Sequence, residues 1–542
     1  MTWLMILCAC IWTAANAQIL QLDQGKVQGF EYKTESGNVA EVFLNIPFAL
    51  PPIADLRFEK PKSQTPWDGI RNGTVFGPAC IPIVPEAVLG EQSASEDCLT
   101  LNIIRPKKAQ QIGEGLPILF IVHGGGYQML SAVLSGYKAL ADTYISKDII
   151  IVTIQYRLAV YGFFSTGDER IPGNLGLYDM AEALRFVHSN AKNIGGDPSR
   201  ITTWGDSAGG AASGQLILSP VSREYLAGSI ESSGSPWASW TIGSNVVDRS
   251  IKLATRLGCA DNVKQCLKNK SIEEIAAATR EMFLKHPNDL VASAPPKNCI
   301  VGITAKEASL FTVLNTPFNF LSSIKVNTSD FSKFNRIVLV DTLKKFIDVV
   351  YVGDHLDELV DEVVTYYVDR EAEDNFAFYL DRYVEFVSDV LFNIPAVDGI
   401  LARSKAGWKV YTYVFDHHND ESFDAKIPKR LRRATHASDY YYAVGVKAMR
   451  LLKSYENDKK VAEILQNTIA EFVKKGRPAD LELWPETSAD QSISYLEISS
   501  DPKKKTELHK EAASFWHKMK KYGFDLVQLL PVDKSEYAKE EL

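Results

Sequence analysis

Two short runs in this chain have the residue types and spacing needed to attack an acyl carbon. Gly205-Asp206-Ser207-Ala208-Gly209 sets a serine between two glycines, after the apolar run Ile201 to Trp204 and before the small-residue stretch Gly210 to Leu218. A strand, a tight turn and a helix in that order present a hydroxyl at a helix N-terminus, and the glycines remove the Cβ atoms that would clash in the turn. G-x-S-x-G alone also fits a flexible Gly/Ser turn, so its placement between strand and helix carries the argument. The second run, His123-Gly124-Gly125-Gly126, directly follows the apolar run Ile118 to Val122. Consecutive glycines leave backbone N–H groups free to meet a developing negative oxygen. Gly125, Gly126 and the N–H of Ala208 are the natural donors, and losing one such donor costs ~3 kcal/mol of transition-state stabilisation.

A serine nucleophile needs a base and the base needs a carboxylate, which after a strand-turn-helix serine follow in the order Ser, acid, His. The chain offers nine histidines. His123 belongs to the glycine loop, and His188 lies in the helical stretch Asp179 to Asn190 ahead of the serine. His286 precedes the candidate acid, His355 falls in a helical segment, and His509 and His517 fall in a charged terminal helix. His417 and His418, at the end of the run Val410 to Phe415, and His436, in the loop beyond, all remain open on spacing. For the acid, Glu307 follows the run Ile300 to Gly302, where a carboxylate at the C-terminal end of a parallel strand faces a site. A surface glutamate fits that pattern equally well.

The elements that must position these groups are short β-branched runs between amphipathic stretches. Ile118 to Val122, Ile149 to Ile154, Ile201 to Trp204, Ile300 to Gly302 and Val410 to Phe415 read as buried strands. Leu343, Phe346, Ile347 and Val350, then Leu356, Leu359, Val360 and Val363, recur at helical spacing. Alternation of this kind predicts an α/β fold, a mostly parallel sheet flanked by helices. Residues 330–406 carry helices without a strong strand and are expected to form a helical insertion over the site. At 542 residues, 46% hydrophobic content and a net charge of −8, the chain buries a large core. Its acidic balance argues against nucleic acid as a partner, because phosphate neutralisation needs clustered Lys and Arg. No Cys/His spacing for zinc and no phosphate-cradling loop appears, so no metal or organic cofactor is expected.

Taken together, the motifs resemble those of the type-B carboxylesterase and cholinesterase family over nearly the whole chain. The match includes Pro51-Pro52 with Leu56-Arg57-Phe58 and Pro61, then Ser95-Glu96-Asp97-Cys98-Leu99 with Leu101-Asn102. It continues through Gln155-Tyr156-Arg157, Asn174-Leu175-Gly176-Leu177-Tyr178-Asp179, Ser388-Asp389 with Phe392 and Pro395, and Trp484-Pro485. The resemblance implies the α/β-hydrolase fold, with Ser207 as nucleophile, Glu307 as acid, His436 as base, and Gly125, Gly126 and Ala208 as oxyanion donors. It also implies disulfides Cys80 to Cys98 and Cys259 to Cys266, and ion pairs Arg57 with Glu96 and Arg157 with Asp179. The chain departs from the family pattern in three places. Gln155 stands where asparagine is usual, Ala308 follows the acid where glycine is usual, and Arg433 stands three residues before the histidine where glycine is usual. Cholinesterases carry a tryptophan between the first two disulfide cysteines that holds a quaternary ammonium; here Cys80 to Cys98 holds no aromatic residue. The expected reaction is hydrolysis of small neutral carboxylic esters. A catalytically silent adhesion or binding protein and a lipase for longer acylglycerols are the alternatives.

Met1 to Ala17 is a mostly apolar run ending in Ala15-Asn16-Ala17, the pattern of a cleaved signal peptide, with an uncleaved anchor as the alternative. Residues 18–542 then read as one domain with no later membrane-spanning run. Of seven cysteines, Cys8 and Cys10 leave with the leader. The close pairs Cys80 with Cys98 and Cys259 with Cys266 suit an oxidising compartment and leave Cys299 as a buried thiol. Asn72, Asn269 and Asn327 head glycosylation sequons. The terminal Lys539-Glu540-Glu541-Leu542 differs from K-D-E-L by one conservative change, which predicts a retrieval receptor as partner and the endoplasmic reticulum lumen as location, with a frayed charged tail on a secreted protein as the alternative.

Overall fold

The computed structural model describes residues 18–528 except 84–91, 110–112, 242–245, 283–296, 316–323, 352, 372, 446–455, 480 and 488–491. The expected leader with Cys8 and Cys10, the retrieval-like tail and His286 lie outside the described residues.

Among the described residues, twelve strands run along the path of one sheet. They are β1 (Gln18–Leu22), β2 (Gly25–Lys33), β3 (Val39–Pro47), β4 (Thr100–Pro106), β5 (Leu116–Val122) and β6 (Ile150–Ile154), followed by β7 (Gly196–Asp206), β8 (Gly228–Ser232), β9 (Asn298–Thr304), β10 (Lys409–Phe415), β11 (Tyr495–Ile498) and β12 (Lys503–Lys505). Their order in space is β1-β2-β3-β4-β6-β5-β7-β8-β9-β10-β11-β12. Every pairing from β6 across to β11 is parallel, and the strands at both flanks are antiparallel. All five runs expected to be strands lie in this parallel centre.

Those runs are apolar on consecutive residues because both faces of the sheet are covered. Side chains alternate between two cores. Ile118, Phe120, Val122, Ile150, Val152, Ile154, Cys299 and Val301 point into one, while Leu119, Ile121, Ile149, Ile151, Ile300, Tyr411 and Phe415 point into the other. On the first face lie α1 (Leu175–Ser189) and α2 (Ala208–Leu218), whose small residues let α2 pack closely on the strands. The segment 330–406 contributes α3 (Arg336–Val350), α4 (Leu356–Tyr367), α5 (Phe376–Ser388) and α6 (Ile394–Lys405). The second face is covered in part by α7 (Ser438–Val444) and α8 (Glu456–Lys475).

The expectation that 330–406 is wholly an insertion over the site needs correction at its end. Arg403 on α6 donates from Nη2 to both oxygens of Glu231 on β8, at 2.8 and 2.9 Å, so α6 lies against the sheet. Both side chains are buried, and the guanidinium lies 4.9 Å from the Trp237 ring and 5.5 Å from that of Trp408. Burial pushes the Glu231 carboxyl up, and Arg403 opposes the shift. Replacing Arg403 by methionine leaves that carboxylate buried and unpaired, a change that costs roughly 3–5 kcal/mol. Urea unfolding of Arg403→Met should show that loss, and a loss below about 1 kcal/mol contradicts it.

Cys80–Cys98 and Cys259–Cys266 are disulfide-bonded, and Cys299 is free and buried. Burial pushes its thiol up to about 12, so it is inert as a nucleophile at neutral pH. Arg57 pairs with Glu96, and Arg157 with Asp179, the latter at 2.7 Å. Among the described residues no helix is long and apolar enough to cross a membrane.

Candidate active site

Strand order turns back at β6-β5-β7, so the chain leaves the C-terminal ends of neighbouring strands β5 and β7 in opposite directions. A crevice opens at such a switch point. His123 to Gly126 leaves β5 there and Ser207 leaves β7. Ser207 has φ 58° and ψ −124°, a left-handed backbone that a non-glycine residue adopts only when its surroundings impose it. The surroundings are tight. Ser207 N–H donates to Ser232 O at 2.8 Å, and Ala211 N–H donates to Ser207 O at 3.0 Å. A Cβ placed on Gly209 would stand 2.1 Å from Val122 O, and one on Gly124 would stand 2.6 Å from Asp206 O and 3.3 Å from Ser207 Cβ. The glycine loop and the serine turn are therefore in contact, and only glycine lets them approach this closely. Gly125 and Gly126 have φ 101° and 61°. Among the described residues none accepts a hydrogen bond from the N–H of Gly125, Gly126 or Ala208.

Two loops bring Glu307 and His436 together. Past β9 and β10 the chain continues in parallel pairing: Ala305 N–H donates to Phe415 O, Lys306 N–H to Ala434 O at 2.8 Å, and His436 N–H to Glu307 O at 3.3 Å. Glu307 is fully buried and each of its oxygens is used. Oε1 accepts from Ser233 Oγ and Thr304 N–H, both at 2.7 Å, and Oε2 accepts from His436 Nδ1 at 2.7 Å. With Nδ1 donating, the neutral imidazole keeps its lone pair on Nε2. That atom is buried and has no hydrogen-bond partner among the described residues. The His436 ring packs against the stacked pair Phe311 and Phe392, with centroids at 5.0 and 4.7 Å. Ser233, Phe311 and Phe392 support the pair through contacts that span many residues of sequence.

The other histidines left open by spacing are engaged elsewhere. His417 Nε2 meets Asp458 Oδ1 at 2.7 Å, and His418 lies 3.7 Å from Asp420. Both departures near the pair are also accommodated. Ala308 has an ordinary right-handed backbone, φ −75°, and its N–H donates to Ser388 Oγ, so no glycine is needed there. Arg433 ion-pairs with Asp416 at the loop surface. Gln155 Oε1 accepts from Ala132 N–H at 3.2 Å, bracing the loop beyond the glycines. Burial holds the His123 imidazole down at about 4, so it stays neutral, its Nδ1 donating to Gly124 O at 2.9 Å.

Asp206 and Asp439 make the site more acidic than its motifs suggest. Burial, then the neighbouring charges of Asp439 and Glu307, push the Asp206 carboxyl well above the usual carboxylate range. Burial and Glu307 push Asp439 up to about 6, against the pull of its hydrogen bond from Tyr413 Oη at 2.6 Å and of His436. An acid raised in the folded state contributes stability that is full below its unfolded value, near 4, and is lost as pH rises through the folded value, near 6. Asp439→Asn removes this dependence. Its melting temperature relative to the parent should therefore rise between pH 4 and pH 7.5, by the equivalent of at most about 3 kcal/mol. Parallel melting curves over that interval contradict the assignment.

Asn72, Asn269 and Asn327 are all exposed, and Asn72 Oδ1 accepts from Thr74 N–H and Oγ1.

Known proteins resemble this chain along nearly all of its length. The model of the carboxylesterase family matches residues 16–516. Gut esterase 1 of Caenorhabditis elegans is 35% identical over 540 residues, covering 94% of each chain. Gut esterase 1 of Caenorhabditis briggsae is 36% identical with the same coverage, and human carboxylesterase 3 is 28% identical over 94% of this chain and 93% of its own. A parallel sheet with a strained serine at its switch point, and a family match along nearly all its length, make this chain a member of the carboxylesterase family.

Proposed function

We propose that the protein hydrolyses small neutral carboxylic esters through an acyl-enzyme on Ser207, with His436 as base, Glu307 as its orienting acid, and the N–H groups of Gly125, Gly126 and Ala208 as oxyanion donors. The observation that carries this reading is the contact of His436 Nδ1 with Glu307, which leaves Nε2 without a partner among the described residues, in a site that also holds the strained Ser207 turn.

In the first half-reaction Ser207 Oγ adds to the ester carbonyl carbon while its proton passes to His436 Nε2. The carbonyl oxygen takes the electron pair and is met by the three N–H groups, with the positive end of the α2 dipole behind Ala208. Collapse breaks the bond to the alcohol oxygen, which leaves with the proton from Nε2. A water then gives its proton to Nε2 and its oxygen to the acyl carbon; the second collapse returns the proton to Ser207 and releases the acid. Glu307 stays ionised and stabilises the imidazolium at each half-reaction.

Three sequence features support a secretory setting for this chemistry: the leader-like start, the exposed sequon asparagines Asn72, Asn269 and Asn327, and the Lys539 to Leu542 terminus. The two disulfides fit the same oxidising compartment.

Hydrolysis of p-nitrophenyl butyrate by the parent and by Ser207→Ala tests the proposal. The variant should keep its fold and lose about 10⁴- to 10⁶-fold in kcat. Equal turnover by a folded Ser207→Ala contradicts it.

A further inference from the structure

Stabilising an oxyanion with three N–H groups requires that they hold one mutual geometry, yet they belong to two separate pieces of chain. Gly125 and Gly126 sit on the loop after β5, while Ala208 is the first residue of α2. Gly124 touches the serine turn, and beyond it the loop reverses. Gly125 O accepts from the N–H groups of Gln128 and Met129, at 3.0 and 3.1 Å. Because the peptide unit is planar and trans, this orients the Gly126 N–H in the opposite direction. The residue that closes this turn is Tyr127.

Tyr127 is a buried aromatic residue with φ 59°, in the left-handed region that bulky side chains avoid. Three contacts hold it there. Its carbonyl accepts from Ala159 N–H at 2.8 Å, its ring packs 5.1 Å from that of Phe163, and its hydroxyl donates to Gln215 Oε1 at 2.9 Å. Gln215 is buried and lies on α2, seven residues and about two turns beyond Ala208. A buried hydrogen bond thus joins the residue next to Gly126 with the helix whose first N–H is the third donor.

We propose that Tyr127 and Gln215 are positioning residues for oxyanion stabilisation, their buried hydrogen bond fixing the Gly125 and Gly126 amides against that of Ala208. Neither side chain is asked to touch the substrate. The pair acts by holding the glycine loop at one height over α2, and its loss lets the two halves of the donor set drift apart. Donors misplaced by a fraction of an ångström weaken transition-state binding far more than ground-state binding. The signature is therefore a fall in kcat without a matching change in KM.

This rests on the esterase reading above, and the test separates the two. The parent, Tyr127→Phe, Gln215→Met and the double variant are compared for kcat and KM on p-nitrophenyl butyrate, for melting temperature, and for inhibition by a trifluoromethyl ketone, which forms a tetrahedral oxyanion adduct. In each variant kcat should fall about 10- to 100-fold with KM within about twofold, and trifluoromethyl ketone affinity should fall by a similar factor. The double variant should fall no further than the singles, since all three lack the same bond. Removing both polar partners also relieves the unsatisfied group left by either single change, so the double variant should recover melting temperature while kcat stays low. A kcat that recovers together with stability, or variants with parental kcat and inhibitor affinity, overturns the positioning role. Should Tyr127→Phe fail to fold, Gln215→Met reads the same bond from the helix side. A folded parent that neither turns over ester nor binds the ketone overturns the esterase reading and this one with it; an active parent with unaffected variants overturns this one alone.

Discussion

Glu307→Gln should lower kcat by about 10⁴-fold while leaving the fold intact. The side chains are nearly isosteric, and glutamine Oε1 still accepts from Ser233 Oγ and Thr304 N–H, where Glu307 Oε1 now does. The amide nitrogen then faces His436 Nδ1, where Oε2 now sits at 2.7 Å. Two donors cannot share that contact, so Nδ1 must present its lone pair and the imidazole proton moves to Nε2. The base is lost by a tautomer change with every heavy atom in place. Steady-state kinetics alongside circular dichroism checks this, and a folded Glu307→Gln within tenfold of parental kcat contradicts the role assigned to the acid.

His436→Ala should be as damaging as loss of the serine, about 10⁴- to 10⁶-fold in kcat, and adding Ser207→Ala to it should cost nothing more. In the proposed mechanism nucleophile and base act as one device, so removing either removes both. What remains in all three variants is the catalysis supplied by the oxyanion donors, roughly 10³-fold above solution. His417→Ala, by contrast, breaks a pairing with Asp458 outside the site and leaves kcat near parental. A double variant that falls 100-fold below either single one shows that the two residues act independently.

The parallel centre of the sheet was legible because burial on both faces forces near-continuous apolar runs, as in Ile118 to Val122 and Ile150 to Ile154. The Ser207 turn was legible because its conformation depends on local glycines. The histidine that reaches Glu307 was not, because nothing in the neighbourhood of His417 or His436 encodes which of them does so. That is decided by the register in which the loops after β9 and β10 pair, Lys306 with Thr435, and the family resemblance supplied it. Ser233 was missed for the same reason, since it meets Glu307 across a separation in sequence that no periodicity marks; Phe392 stood only as part of a family motif, and Phe311 and Asp439, close in sequence to Glu307 and His436, carry no motif that marks them. The segment 330–406 read correctly as helical, but whether a helix lies over the site or against the sheet depends on partners such as Glu231 that spacing does not reveal.

A nucleophilic Ser207 is open to capture by an organophosphate. Diethyl p-nitrophenyl phosphate, added to the purified protein, should release p-nitrophenol in proportion to the activity lost, and peptide mapping should find one diethylphosphoryl group per chain, on Ser207. A folded protein that takes up no label, or takes it up on another residue while Ser207 stays free, contradicts the account.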